Sequence, residues 1–141
     1  MKHEVDGRRE IASRNTAWAN IIARKLTGWG ITPNQISMMS VFFALAGCLL
    51  LTGTVIYPDF NKYVAYILFI VCMQSRLLCN LFDGMVAIEG GKKSANGDLY
   101  NDMPDRFADA LFIIPVGYVA GGFGIELGWL AALLAVMTAY F

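Results

Sequence analysis

Residues 32–56 read TPNQISMMSVFFALAGCLLLTGTVI, and this stretch decides the fold of the chain. It contains no charged residue, and its apolar run from Ile36 to Ile56 reaches the length of about 20 residues that a membrane-spanning helix needs. Thr32 is a suitable N-cap, and Pro33 suits the first position of a helix. The stretch therefore predicts a first transmembrane helix over residues 34–56.

The composition of the whole chain also indicates a membrane protein. Of its 141 residues, 57% are hydrophobic and 16% are charged, whereas soluble domains average about 45–50% and about 25%. The net charge is zero, and without a basic stripe nucleic acid is not expected as a partner. The only histidine, His3, lies in the polar N-terminal tail, so neither histidine-based catalysis nor a His-rich metal site is expected.

On the N-terminal side of this helix, the segment from Glu10 to Trp29 is amphipathic. Apolar residues, among them Trp18, Ile21, Ile22 and Leu26, interleave with Arg14, Asn15, Asn20, Arg24 and Lys25. A soluble amphipathic helix has the same pattern, but the neighbouring span favours a helix that lies in the membrane interface. Gly28, Gly30 and Pro33 are expected to separate it from the first span.

On the C-terminal side, residues 57–62 form a polar turn, and residues 63–79 predict a second span that runs into Asn80 and Asp83. The loop from Glu89 to Asn96 leads to a third helix from about Asp98 to Ala120, which Gly121, Gly122 and Gly124 end. A fourth apolar segment, 129–141, has about half the length of a span. The prediction is an all-α, polytopic helical bundle, a single membrane domain over 1–141 with about four spans, truncated at its C-terminus.

Basic residues predict the orientation of these spans. The N-terminal segment and the second loop carry Arg8, Arg9, Arg14, Arg24, Lys25, Lys92 and Lys93, whereas the opposite side has only Lys62. The N-terminus and the second loop should therefore face the cytoplasm. The first apolar run begins too late for a cleavable signal peptide, so we expect a multi-pass protein of the cytoplasmic or inner membrane.

Six of the eleven acidic residues lie between Asn80 and Asp109. Asn80, Asp83 and Ala87 share one helical face, and a second face carries a stripe of aspartates with Asn101 beside it. The stripe consists of Asp98, Asp102, Asp105 and Asp109. Two facing helices with such oxygen-rich surfaces predict a site for a hard cation such as magnesium, manganese or calcium. The alternative is a merely solvated cytoplasmic face, which the cost of carboxylates beside a bilayer disfavours.

The spacing of these residues resembles the signature of the CDP-alcohol phosphotransferases, integral membrane enzymes of phospholipid synthesis. That signature is D-x2-D-G-x2-A-R-x8-G-x3-D-x3-D. This chain has Asn80-x2-Asp83-Gly84-x2-Ala87-Ile88-x8-Gly97-x3-Asn101-x3-Asp105, without a gap. The segment 32–37 also looks like the family's entry to its first span. Members normally have six spans and are commonly homodimers, so the last two spans and part of the fourth would be missing here.

The resemblance implies a reaction and assigns residues to it. A phosphatidyl or phospho-alcohol group would pass from a CDP-alcohol, CDP-diacylglycerol in the first place, to an acceptor alcohol, and CMP would leave. Mg²⁺ or Mn²⁺ would be held by Asn80, Asp83, Asn101 and Asp105, and Asp105 would also be the catalytic base. The positions implied in substrate binding are Asn34, Ser37, Gly84, Ala87, Ser94 and Gly97. Membrane lipids would be the surroundings, and the acceptor alcohol stays open.

Three signature positions depart from the family pattern: Asn80 and Asn101 replace aspartates, and Ile88 replaces the arginine. Asparagine keeps a carbonyl oxygen but loses the charge, so altered metal binding is expected. Nearby residues that could compensate are Asp102, Asp109, Lys92, Lys93 and Arg106. The departures leave three alternatives: a non-catalytic member that binds nucleotide, lipid or cation, a cation-binding or transport protein, and a purely structural membrane protein.

Overall fold

The computed structural model describes residues 16–89 and 97–138, with the backbone alone for Glu89 and residues 97–103. Within these residues the chain forms five α-helices and no strand. The helices are α1 (Ala17–Gly28), α2 (Pro33–Ile56), α3 (Lys62–Glu89), α4 (Gly97–Ala120) and α5 (Gly124–Met137). The predicted all-α class is confirmed.

The N-terminus of α2 has the predicted cap. The Thr32 Oγ1 accepts a hydrogen bond from the Gln35 amide at 3.3 Å, and the Thr32 amide donates to Gln35 Oε1 at 3.0 Å. This reciprocal capping box satisfies amides that lack a partner in the first turn. Pro33 occupies the first helical position, where its missing N–H costs nothing.

Helix α2 packs against both α3 and α4 and is the centre of the bundle. Its buried face repeats at intervals of three and four residues, as expected for one side of a helix. The buried residues of α2 are Ile36, Ser37, Ser40, Ala44, Gly47, Leu51 and Thr54. The small ones among them let neighbouring helix backbones approach closely, which is how helices commonly pack in membranes. The apolar core beside them contains Ala44, Leu51, Phe69, Ala108 and Phe112.

We expect Gly47→Ala to destabilise this core. A Cβ at Gly47 would lie 2.7 Å from Phe112 Cε1 and 3.3 Å from Phe69 Cδ2, two rings that already pack edge to face at 5.4 Å. Overpacking of this kind costs about 1–3 kcal/mol. Gly53→Ala in the same helix is the matched control, because its Cβ would meet Phe60 at an ordinary 3.8 Å. Thermal unfolding in detergent should separate the two variants, and equal midpoints would contradict the packing described here.

Helix α1 lies against the C-terminal half of α3. Ala19 and Ala23 are fully buried, and they pack with Phe82, Met85 and Val86. The Trp18 ring meets Phe82 edge to face at 6.2 Å. The amphipathic helix is therefore present, but its predicted start at Glu10 is wrong: Thr16 has an extended backbone and is the N-cap, so one helix cannot continue through it. Residues 1–15 lie outside the described residues.

A glycine-rich corner joins α4 to α5. Gly121 and Gly122 have φ values of 69° and 50°, which glycine adopts without steric cost, and they end α4 as predicted. Gly124 already belongs to α5, so the fourth segment begins five residues before the predicted Trp129. Glycines on both helices face each other here: Gly117 of α4 lies against Gly124 and Gly128 of α5.

Two helices of the described chain, α2 and α3, are long and apolar enough to cross a membrane. Large apolar side chains are exposed on them, including Met38, Phe42, Leu49, Ile67 and Ile70. The first half of α4 is polar, and α5 has 14 residues, which span about 21 Å against the roughly 30 Å of a bilayer core. Four spans and a cytoplasmic N-terminus therefore stay predictions.

Candidate functional site

Helices α2, α3 and α4 bring their polar residues together near the C-terminal half of α3. Successive pairs along α3 and α4 are Asn80 with Asp105, Arg76 with Asp109, and Phe69 with Phe112. Each step back along α3 matches a step forward along α4, as expected for antiparallel helices. The polar pairs therefore form one continuous contact that ends at the aromatic core.

Asp83 of α3 is buried, with 2% of its surface exposed. Its Oδ2 is 3.2 Å from the Ser37 hydroxyl, which can donate to it or to the Pro33 carbonyl, also at 3.2 Å. A buried carboxylate needs such donors, because transfer out of water without them is costly. Two residues 46 positions apart in sequence are thus joined, both of which the signature resemblance had assigned to the site.

Asn80 of α3 and Asp105 of α4 are joined directly. The Asn80 side-chain amide donates a hydrogen bond to the Asp105 carboxylate. The remaining oxygens, Asn80 Oδ1 and Asp105 Oδ1, are buried and accept no hydrogen bond from the described residues. Buried polar atoms nearly always have a hydrogen-bond partner, so an oxygen without one needs an explanation. A bound ion or water molecule is a known explanation. The predicted approach of the two helix faces is therefore found at this pair.

Arg76 is the residue that sequence reasoning missed. It lies inside a candidate span and is only 7% exposed. Its Nη2 is 2.9 Å from Asp109 Oδ1 and 3.6 Å from Asp105 Oδ1, and it donates to the Asp105 main-chain carbonyl at 3.2 Å. The signal was present: Arg76, Asn80 and Asp83 follow one another at four and three residues, so they share a face of α3.

The charges around Asp105 act in opposite directions. Burial raises the pKa of Asp105 above the usual value of a carboxyl group, and the Arg76 cation is the largest influence that lowers it. The hydrogen bond from Asn80 also lowers this pKa, whereas the Asp109 carboxylate raises it. Asp105 lies in the polar half of α4, outside the two candidate spans. The outcome is a partly desolvated carboxyl whose protonation depends on its immediate neighbours.

The other predicted residues differ in their placement. Gly84 is buried, Ala87 and Arg106 are half-buried, and Asn34 is exposed in the first turn of α2. Ile88, at the arginine position of the signature, is 60% exposed. Gly97 begins α4. The side chains of Asp98, Asn101 and Asp102 are not described, and Lys92, Lys93 and Ser94 lie outside the described residues.

An apolar cavity of about 670 Å³ lies between α1, α2 and α3. Its walls include Ile22, Leu26, Ile36, Met39, Phe43 and Phe82. Two of these wall residues, Ile36 and Phe82, are the chain neighbours of Ser37 and Asp83. Space of this size and lining accommodates the apolar part of a small amphiphile.

The predicted metal site stays a prediction. In residues 16–88 and 104–138, no three acidic, histidine or cysteine side chains lie close enough to bind a metal ion. The two buried oxygens of Asn80 and Asp105 nevertheless match the amide and carboxylate ligands that Mg²⁺ and Mn²⁺ prefer. Asn101, another predicted ligand, is among the side chains not described. Comparisons of the chain with protein-family models, curated proteins and solved structures find no match.

Proposed function

We propose that this chain is an integral membrane transferase that moves a phosphatidyl or phospho-alcohol group from a CDP-alcohol to an acceptor alcohol. CDP-diacylglycerol is the first candidate donor, and CMP is the leaving product. The observation that carries the proposal is the hydrogen bond between Asn80 and Asp105, the first and last positions of the signature, on facing helices. The apolar cavity beside Asp83 supports a lipid donor.

In this mechanism Asp105 takes the proton of the acceptor hydroxyl. The hydroxyl oxygen then forms a bond to the β-phosphorus of the donor, the bond from that phosphorus to the bridging oxygen breaks, and CMP leaves with the electron pair. Asn80, Asp83, Asn101 and Asp105 would hold Mg²⁺ or Mn²⁺, which supplies charge neutralisation at the pyrophosphate. The polar residues lie near one end of α3, and a site there would be next to the membrane, where both lipid and nucleotide could reach it.

The test is release of CMP by the purified, full-length protein in detergent. Labelled CDP-diacylglycerol, Mn²⁺ and a panel of acceptors (glycerol phosphate, inositol phosphate and serine) should yield labelled lipid and CMP in equal amounts. Excess EDTA should abolish both products, and added Mn²⁺ should restore them. Absence of CMP with every acceptor would rule out the enzyme.

The second candidate is a non-catalytic member that binds nucleotide, lipid or cation without turnover. The observation that favours it is the ion pair of Arg76 with Asp105 and Asp109, which neutralises carboxylate charge in a site where Asn80 already replaces an aspartate. Mn²⁺-dependent binding of CMP without product formation would support this candidate. Both proposals also include further spans besides α2 and α3, a site that faces the cytoplasm, and a homodimer.

A further inference from the structure

A buried arginine inside an apolar helix needs a reason. Arg76 lies in a stretch of α3 that is otherwise almost wholly apolar, and such a charge is costly in or beside a bilayer unless it is paired. Its ion pairs and hydrogen bond with described residues reach across to a single helix, α4. We therefore explain the buried Arg76 by its effect on the position of α4.

The contact with the Asp105 main chain distinguishes Arg76 from a simple charge partner. Donation to the Asp105 carbonyl at 3.2 Å holds the backbone of that residue, whereas the 2.9 Å ion pair with Asp109 holds the next turn. The distance of 3.6 Å to Asp105 Oδ1 is beyond ordinary hydrogen-bond length, so this oxygen stays available to another ligand.

The sequence around Asp105 makes such a hold necessary. Pro104 precedes it inside α4, and proline has no amide hydrogen for the carbonyl four residues earlier. The helix is therefore weakened immediately before Asp105. The contacts of Arg76 with the Asp105 carbonyl and the Asp109 side chain fix the position of α4 on the C-terminal side of Pro104.

We propose that Arg76 is the positioning residue of the site: it clamps α4 at Asp105 and Asp109 so that Asp105 Oδ1 and Asn80 Oδ1 face the same space. The role in turnover rests on the proposed transferase function. Arg76 touches no reacting atom in this scheme, because its Nη2 is engaged with α4. Its loss should therefore lower kcat much more than it raises KM for the CDP-lipid, since misplacement of about 1 Å can cost about a hundredfold in rate.

The experiment uses Arg76→Met, Arg76→Lys and, as the matched control, Lys62→Met at the exposed start of the same helix. We expect Arg76→Met to lower kcat at least about tenfold with KM for CDP-diacylglycerol changed less than about threefold. Arg76→Lys should recover part of kcat, because an ammonium group can pair with Asp109, but it ends on a shorter stem than Nη2, the single atom that makes all three contacts. Lys62→Met should match the wild type.

A second measurement does not depend on turnover. Spin labels at the exposed positions Leu77 and Phe107 report the distance between α3 and α4, in a background where Cys48, Cys72 and Cys79 are replaced. The distance distribution should broaden in Arg76→Met and sharpen again in Arg76→Lys. Unchanged label distances in Arg76→Met, or broadened distances with an unchanged kcat, would overturn the inference. If the wild type releases no CMP, the transferase proposal fails, and the label distances alone decide whether Arg76 clamps α4.

Discussion

An Asp105→Asn variant should release CMP more slowly than the wild type by about 10²–10⁴-fold, the contribution of a general base. The substitution preserves the size of the side chain and one carbonyl oxygen, but it removes the carboxylate that we propose as the base. Among the described residues, it also leaves Arg76 with Asp109 as its one carboxylate partner, at 2.9 Å. Single-turnover release of CMP from labelled CDP-diacylglycerol measures the effect on the chemical step.

Asp59→Asn is the control for this variant, because Asp59 is exposed in the turn between α2 and α3. It should leave turnover unchanged. Circular dichroism and the elution profile in detergent should show that both variants remain folded. Wild-type turnover in folded Asp105→Asn would remove the base assignment and leave the resemblance to the transferase family in place.

Gly117→Ala should separate α5 from α4. A Cβ at Gly117 would lie 2.5 Å from the Gly124 carbonyl oxygen and 3.0 Å from the Gly128 Cα. Both are backbone atoms, which cannot rotate away as a side chain does, so the helices themselves must move. Overpacking costs about 1–3 kcal/mol and occasionally more, and we expect the upper end here. Thermal unfolding in detergent measures the loss.

Gly28→Ala is the control for Gly117→Ala, because a Cβ at Gly28, the last residue of α1, meets nothing within 4 Å. Its unfolding midpoint should equal or slightly exceed that of the wild type, since alanine favours a helix more than glycine does. A Gly117→Ala protein as stable as the wild type would contradict the close contact of α4 and α5.

The parts of the candidate site that depend on residue spacing within one helix were predictable from the sequence. Asn80 and Asp83 share a face because helices repeat every 3.6 residues, and Asp105 was placed opposite them by the signature. The same periodicity predicted that Asp105 and Asp109 lie on one face, and both contact Arg76. Metal binding and turnover stay predictions, since no observation tests them.

Arg76 was not predicted, although its spacing from Asn80 is one helical turn. A lone charge in an apolar segment shows that a partner is needed, but it does not show which residue supplies it. Asp105 and Asp109 lie about 30 positions away. Their pairing depends on how α3 and α4 both pack against α2, which only the tertiary structure decides. Part of the negative charge of the acidic stretch is therefore neutralised by Arg76 of α3.

The sequence by itself determined the helices of this protein and most of their ends. The cap at Thr32 and the end of α4 at Gly121 and Gly122 follow from local chemistry, and both were predicted. The start of α1 was not, because apolar periodicity continues through Thr16 while the backbone there is extended. Tertiary structure alone decided that small residues of α2 form the centre of the bundle and that Arg76 joins α3 to α4. The physical reason is that close packing and buried ion pairs depend on the distance between helices, which no pattern within one helix specifies.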